Sequence, residues 1–339
     1  MTKPSIVGGI YEVGIGVNDL PRAIGYWERF GYRMVAGATL SADVAATLYG
    51  VNSAGRSVRL QHLDSDHGLV RLTQWEQSTG AGLGLEPLRG LGSRWSTQIT
   101  SNILVLLSHA EAARNAGVPC LFDIPAFSRT GTETIGPDFP LEPIRGYREM
   151  RLLQPLWRQV VLERLNVHDP DYGRVDDRAL FRTSQITHMG LIVQDDAGEK
   201  IRFYDQVLGF HRQPERVMPY ERARSVGAHL VYPLPEGEGY RVQPFDDPRN
   251  ADGRTRSGRL HLVRFPQSST LPDWRGVARP GLLGYSLYTL RCADTTAMHR
   301  HVAAGGAGAL TPIALDEFGQ RAFSFVAPDG YFWTMIETR

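Results

Sequence analysis

Short apolar stretches with period-two alternation, each followed by a helical spacing and then a glycine, recur along this chain. Glu12-Val-Gly-Ile-Gly-Val-Asn-Asp19 places a polar residue ahead of an apolar run that ends at an acid, and His188-Met-Gly-Leu-Ile-Val-Gln-Asp195 repeats the pattern about half a chain later. The continuations agree as well: Ile24-Gly-Tyr26-Trp-Glu-Arg-Phe30-Gly31 parallels Arg202-Phe-Tyr204-Asp-Gln-Val-Leu208-Gly209. Ile201, Tyr204, Val207 and Leu208 fall at helical spacing, with Asp195 or Asp196 as cap and Gly209 as the residue after the last turn. Arg56–Gln61 with Gly68–Trp75, and Tyr240–Gln243 with Gly258–Phe265, read as paired strands. Each copy is therefore a βαβββ module.

Two fainter copies follow the same plan. One has a strand from Asn102 to Leu107 and a helix Ala110–Ala116. The other has a strand Leu287–Leu290, a helix Asp294–Ala304 and a closing strand Tyr331–Ile336 after the turn Pro328-Asp-Gly330. Residues 156–183 carry charge, Pro170 and Gly173 but no module pattern, although Leu156–Leu165 has the spacing of a short helix. The expected division is 1–155 for modules one and two, 156–183 as linker, and 184–339 for modules three and four.

These residues resemble the vicinal oxygen chelate superfamily, which includes glyoxalases, extradiol dioxygenases and bleomycin-binding proteins. The resemblance rests on His188–Asp195 with Phe203–Phe210, similar to that family's first strand and helix, and on Pro328-Asp-Gly330, similar to its last turn. It implies an α+β fold in which four βαβββ modules pair into two half-barrel domains. It also implies metal ligands on the first and fourth strands of the modules. Those positions hold His188 and His261 in module three. A divalent metal (Fe, Mn, Zn or Ni) on two imidazoles would polarise vicinal oxygens of a small aromatic or dicarbonyl substrate, in dioxygenase-like or lyase/isomerase chemistry. Module four departs from the pattern, with Thr334 where the family supplies Glu, and Leu287 or Ser286 on its first strand.

The corresponding N-terminal places read Glu12, Arg71, Asn102 and Met150 or Arg151, and an arginine repels a cation, so no metal is expected there. Glu12 and Arg71 are expected either to form a buried ion-pair network or to hold a ligand carboxylate or phenolate. Glu12, Arg71, Asn102, Thr334 and Tyr240 are the candidate substrate contacts. Two long segments, Asp123–Tyr147 and Pro233–Gly258, are candidate cavity covers. The alternative function is a metal-free protein that sequesters a flat hydrophobic molecule, or a metal-free acid–base enzyme in the same cavity.

Composition narrows this further. The chain has 339 residues, enough for two cores, and 37 Lys plus Arg against 36 Asp plus Glu argue against a nucleic-acid surface. Gly80-Ala-Gly-Leu-Gly84 has no preceding strand and no Lys-Ser/Thr end, so no nucleotide cofactor is expected. Cys120 and Cys292 make no disulfide framework, and no run of 18 apolar residues occurs. The expected setting is cytoplasmic, with a small-molecule ligand, no membrane or nucleic-acid partner, and a homodimer as a compatible assembly.

Overall fold

The computed structural model describes residues 4–129, 145–167, 169, 171–252, 254 and 256–338. Module one contains β1 (Glu12–Val17), α1 (Leu20–Glu28), β2 (Tyr32–Leu40), α2 (Ala42–Tyr49), β3 (Gly55–His62) and β4 (Leu69–Trp75). Module two contains β5 (Arg94–Thr100), α3 (Ile103–Asn115), β6 (Leu121–Phe122), β7 (Ala126–Arg129), β8 (Gly146–Leu153) and β9 (Arg158–Leu165). Module three contains β10 (Thr183–Gln194), β11 (His211–Arg212), β12 (Arg216–Met218), α4 (Tyr220–Ser225), α5 (Ala228–Val231), β13 (Tyr240–Asp246) and β14 (Arg259–Phe265). Module four contains β15 (Gly284–Cys292), α6 (Thr295–Ala304), β16 (Ala314–Leu315), β17 (Arg321–Val326) and β18 (Phe332–Glu337).

Local chemistry explains the better-marked elements. Asp19 caps α1 by accepting from the Arg22 N–H at 3.0 Å, Pro21 occupies the first turn, and the helix buries Leu20, Ala23 and Trp27. The expected helix of module three is shorter than its spacing suggests. A short 3₁₀ helix at Asp195–Gly198 and a single wide π turn at Phe203–Val207 take its place, before Gly209 takes φ 88°.

Two expectations about module two are corrected. The run after Asn102 is helix α3 rather than a strand, and Asn102 is its N-cap, accepting from the Val105 N–H at 3.3 Å. An unbroken apolar run carries no period-two signal, so a buried helix start looks like a strand. The first strand is β5, whose polar sequence Arg-Trp-Ser-Thr-Gln-Ile-Thr is wholly buried. The stretch read as a short helix within the linker is strand β9.

The expected pairing of modules is also corrected. An eight-stranded sheet runs β16-β17-β18-β15-β1-β4-β3-β2, and a ten-stranded one runs β11-β13-β14-β10-β5-β9-β8-β6, with β12 also paired to β13 and β7 to β8. Module one thus joins module four through antiparallel β1 and β15, while module two joins module three through antiparallel β5 and β10. Backbone hydrogen bonds make every such junction, so the apolar pattern of one first strand fits any other.

The largest core cluster, including Trp27, Phe30, Leu191, Tyr204, Phe245, Tyr288 and Trp333, draws on all four modules. Tyr288, from the eight-stranded sheet, donates its hydroxyl to the carbonyls of Trp95 and Gly190 at 2.9 Å, and Tyr331 donates to that of Ile192 at 2.6 Å. These buried phenols tie the two sheets together where β5 meets β10. No described helix is long and apolar enough to cross a membrane.

Candidate functional site

The ten-stranded sheet encloses a cavity of about 310 Å³. Its walls come from β8 near one end of the sheet, from β5, β9, β10 and β14 in the middle, and from β12 and β13 toward the other end. Side chains so far apart along one sheet meet in one cavity only if that sheet curls. Gly190 permits one wall, because a Cβ there would stand 1.9 Å from the Trp95 ring. The wall rings are Trp95, Tyr147, Tyr172, Tyr232 and Tyr240.

His188 and His261 do meet in this cavity, their ring centroids 4.3 Å apart. They stand on neighbouring parallel strands, where Gly190 is opposite His261. The Tyr172 hydroxyl lies 2.9 Å from His188 Nδ1, and the buried Nε2 of His261 has no hydrogen-bond partner among the described residues. Burial, reinforced by the Arg259, Arg164 and Arg216 charges, lowers the His188 pKa to about 3. Burial and the charges of His188, Arg259 and Arg216 likewise push His261 well down. Both rings are therefore neutral at pH 7.

Register identifies their counterparts across the sheet. Thr97 on β5 faces His188, and Ile99, two residues on, lies opposite Leu162 on β9 just as Gly190 lies opposite His261. Thr97 and Leu162 line the same cavity and supply neither imidazole nor carboxylate. Leu162 takes the place expected for Met150 or Arg151, because the fourth strand of module two is β9 and not β8. Among the described residues no group of three or more His, Cys, Asp or Glu gathers to hold a metal ion. The donor set is half of a shell, among guanidinium groups.

Several cavity residues were not singled out from the sequence. Glu149, on β8 two residues from Tyr147, has its pKa raised to about 7 by burial and by the Asp123 charge. Arg259 is paired with Asp246, and Arg164 with Asp169 at 2.6 Å. Arg216, exposed at the cavity mouth, has no side-chain ion pair among the described residues. The alternation Arg259-Leu-His261 and Tyr147-Arg-Glu149 could have marked these neighbours as sharing a face. Of the two expected covers, Pro233–Gly258 contributes Tyr240 and Val242 through β13. Residues 130–144 of Asp123–Tyr147 lie outside the described residues.

Glu12 and Arg71 sit elsewhere, inside the eight-stranded sheet, in the register places that His188 and His261 hold in the other sheet. Glu12 accepts from Arg59 Nε at 2.7 Å and lies 3.2 Å from Arg71 Nε. Arg71 also donates to the Tyr49 hydroxyl at 2.7 Å and to Thr289 Oγ1 at 3.1 Å, and Glu317 is 3.4 Å away. The arginine charges and hydrogen bonds outweigh burial and hold the Glu12 carboxyl below its ordinary value. This is the satisfied ion-pair network that the sequence offered as one alternative. Thr289, not Leu287, faces Glu12, and Thr334 is buried with its hydroxyl 2.9 Å from that of Ser324. Of the candidate contacts, only Tyr240 lies in the cavity with the two histidines. Asn102, as a helix cap, lies apart from both interiors.

Residues 185–335 match the model of the Glyoxalase/Bleomycin resistance protein/Dioxygenase superfamily. Among solved structures, a putative dioxygenase from Bacillus subtilis subsp. subtilis str. 168 superposes with TM-score 0.54 at 12% identity, covering 99% of this chain and 86% of that one. Glyoxalase I from Zea mays superposes with TM-score 0.51 at 15% identity, covering 97% of this chain and 92% of that one. At such identities the likeness is one of fold. A comparison with curated proteins gives no match.

Proposed function

We propose that this chain, which carries the vicinal oxygen chelate fold and matches that superfamily's model over residues 185–335, is an enzyme acting on a small, flat molecule with an anionic oxygen, bound in the ten-stranded sheet. The observation that carries this reading is the lining: aromatic walls, two neutral imidazoles, an unpaired guanidinium and a carboxyl group that titrates near neutrality share one cavity. The rings stack on a flat conjugated body, and Arg216 takes its carboxylate or phenolate. Glu149 accepts a proton from the bound molecule and returns it at a neighbouring atom. Arg216 and an imidazole N–H hold the negative charge on oxygen between the two steps. That is isomerase chemistry run by side chains.

A second reading has its own observation, the orphaned Nε2 of His261 beside His188. A divalent cation there would be a Lewis acid for the substrate oxygens. The residues present fit it incompletely, with two nitrogen donors and, among the described residues, no carboxylate gathered with them, so no step is routed through it.

One titration separates the readings. Quenching of Trp95 fluorescence by flat aromatic carboxylates and phenolates is expected in the presence of a chelator, and Arg216→Gln should weaken it about tenfold to a hundredfold. Binding that vanishes with the chelator would favour the cation. Binding indifferent to Arg216→Gln would remove the anion reading.

Glu149 gives a pH prediction. Because its folded pKa, about 7, lies above the ordinary 4.5, the native state holds a proton that the unfolded chain has lost between those values. The stability this confers is complete below pH 4.5 and is lost as pH rises through 7. Glu149→Gln should therefore unfold at higher urea than wild type at pH 8.5, by about 2–3 kcal/mol, with a much smaller gap at pH 5. Equal midpoint differences at both pH values would contradict the raised pKa.

A further inference from the structure

Sharing no lining residue with the histidine cavity, a cleft of about 240 Å³ opens between the loop 275–280 and the turn that ends at Gly330. Gly92, Arg94, Arg275, Arg279, Tyr331 and Phe332 are among its lining residues, and no Asp or Glu is. Arg94 is 1% exposed, and no carboxylate is within ion-pair distance of it among the described residues. It donates to the carbonyls of Ala278 at 2.8 Å and Phe332 at 2.9 Å, while its buried Nε has no partner. Asp329, the acid of the turn, accepts the Tyr204 hydroxyl at 2.7 Å instead.

The other two guanidinium groups are exposed. Arg275 is matched by Asp273, with Nη2 and Oδ2 at 2.5 Å, and also donates to the Asp329 carbonyl at 3.2 Å. Gly330 keeps that arginine in place, since a Cβ there would come within 2.9 Å of its Nη1. Arg279 has no side-chain partner among the described residues. Arg94 lies against the faces of Tyr331 and Tyr288 at 5.0 and 5.7 Å and feels the Asp329 carboxyl only beyond ion-pair distance, so neither Arg94 nor Arg279 has an ion-pair partner among the described residues at this cleft. A buried arginine bonded only to neutral carbonyls is a charge the fold has desolvated without pairing.

We infer that this cleft is an anion site for a phosphate dianion, free or as the end of a small ester. Arg279 and Arg275 grip the phosphate oxygens, and Arg94, fixed behind them by two carbonyls, supplies charge that solvent cannot screen. A dianion answers two guanidinium groups that lack an ion-pair partner, which a monocarboxylate does not. The site stands apart from the histidine cavity and does not depend on how that cavity is read.

The test is ³¹P NMR of inorganic phosphate and, separately, phenyl phosphate, with wild type, Arg279→Gln and Arg216→Gln. Line broadening is expected with wild type and Arg216→Gln, with affinity about tenfold lower in Arg279→Gln. Tighter binding of phenyl phosphate that Arg279→Gln weakens and Arg216→Gln leaves intact would identify the ester as the occupant of this cleft, and equal binding the free ion. Absence of broadening with wild type would overturn the inference. So would broadening unchanged by Arg279→Gln, or lost only with Arg216→Gln. Arg279 is exposed, so loss of the signal in its variant is not loss of the fold, and circular dichroism of each variant checks this.

Discussion

Glu12→Ala should destabilise the protein by about 3–5 kcal/mol, as expected when one partner of a buried ion network is removed and the others stay charged. Glu12 is fully buried, and its carboxylate is the shared counter-ion of Arg59, 8% exposed in its side chain, and Arg71, 2% exposed. Glu317 compensates Arg71 only partly at 3.4 Å, and Arg59 would be left with Gln320 Oε1 at 2.9 Å and the faces of Phe318 and Tyr11. Glu12→Gln keeps the shape but loses the charge, and should recover little. Replacing all four charges, Glu12→Leu with Arg59→Met, Arg71→Met and Glu317→Gln, should restore much of the loss, because no unpaired charge of the network then remains buried. Urea unfolding of the four proteins measures this. A cost below about 1 kcal/mol for Glu12→Ala would mean that water reaches the network.

Acidification should unfold the protein well before its carboxylates are all protonated, and His62 should be a main cause. Its ring is buried, with Nε2 2.8 Å from the Thr183 carbonyl and Nδ1 without a partner. A second proton would thus place an unsolvated charge on Nδ1. Burial lowers the His62 pKa to about 4, and that of His188 to about 3, from an ordinary 6.5. With folded pKa values depressed, the unfolded state takes up protons first. The stability contributed by the two histidines is full above pH 6.5, falls as pH drops below it, and stops falling for each once pH passes its folded pKa. At ~1.4 kcal/mol per pH unit per group, the two together should remove on the order of 4 kcal/mol by pH 5. Glu12, whose folded pKa is also depressed, adds a loss at lower pH. His62→Gln, whose amide can still donate to Thr183, should flatten the decline between pH 6.5 and 4 by roughly half. An unchanged slope would show that His62 is hydrated or protonated in the native state.

The two histidines were readable before any coordinates, and so was their shared face, because strand parity and module repetition are properties of residue order. Glu149 and Arg216 were not, although each follows the same parity. Nothing in a single strand says which other strand it will meet. Tyr147 and Glu149 share a cavity with the histidines only because β8 and β14 are brought round to it. Asn102 failed for a different reason. A short apolar run satisfies a strand and a helix equally, and the preceding polar residue then reads as a strand start or as a cap.

What residue order determined is the repeated βαβββ unit, since alternation, caps and turn glycines are local and act within a few residues of each other. It also determined which residues hold the equivalent places in modules one and three, Glu12 with Arg71 and His188 with His261. What only the tertiary structure decided is the partnership of modules, one with four and two with three, together with everything that depends on it. That includes the Thr97 and Leu162 that leave the histidines half a shell, the Glu317 that joins the buried ion network, and the cavity with its carboxyl near neutrality. The reason is that first strands join through backbone hydrogen bonds alike in every module, so the choice of partner rests on the packing of all four modules about one core.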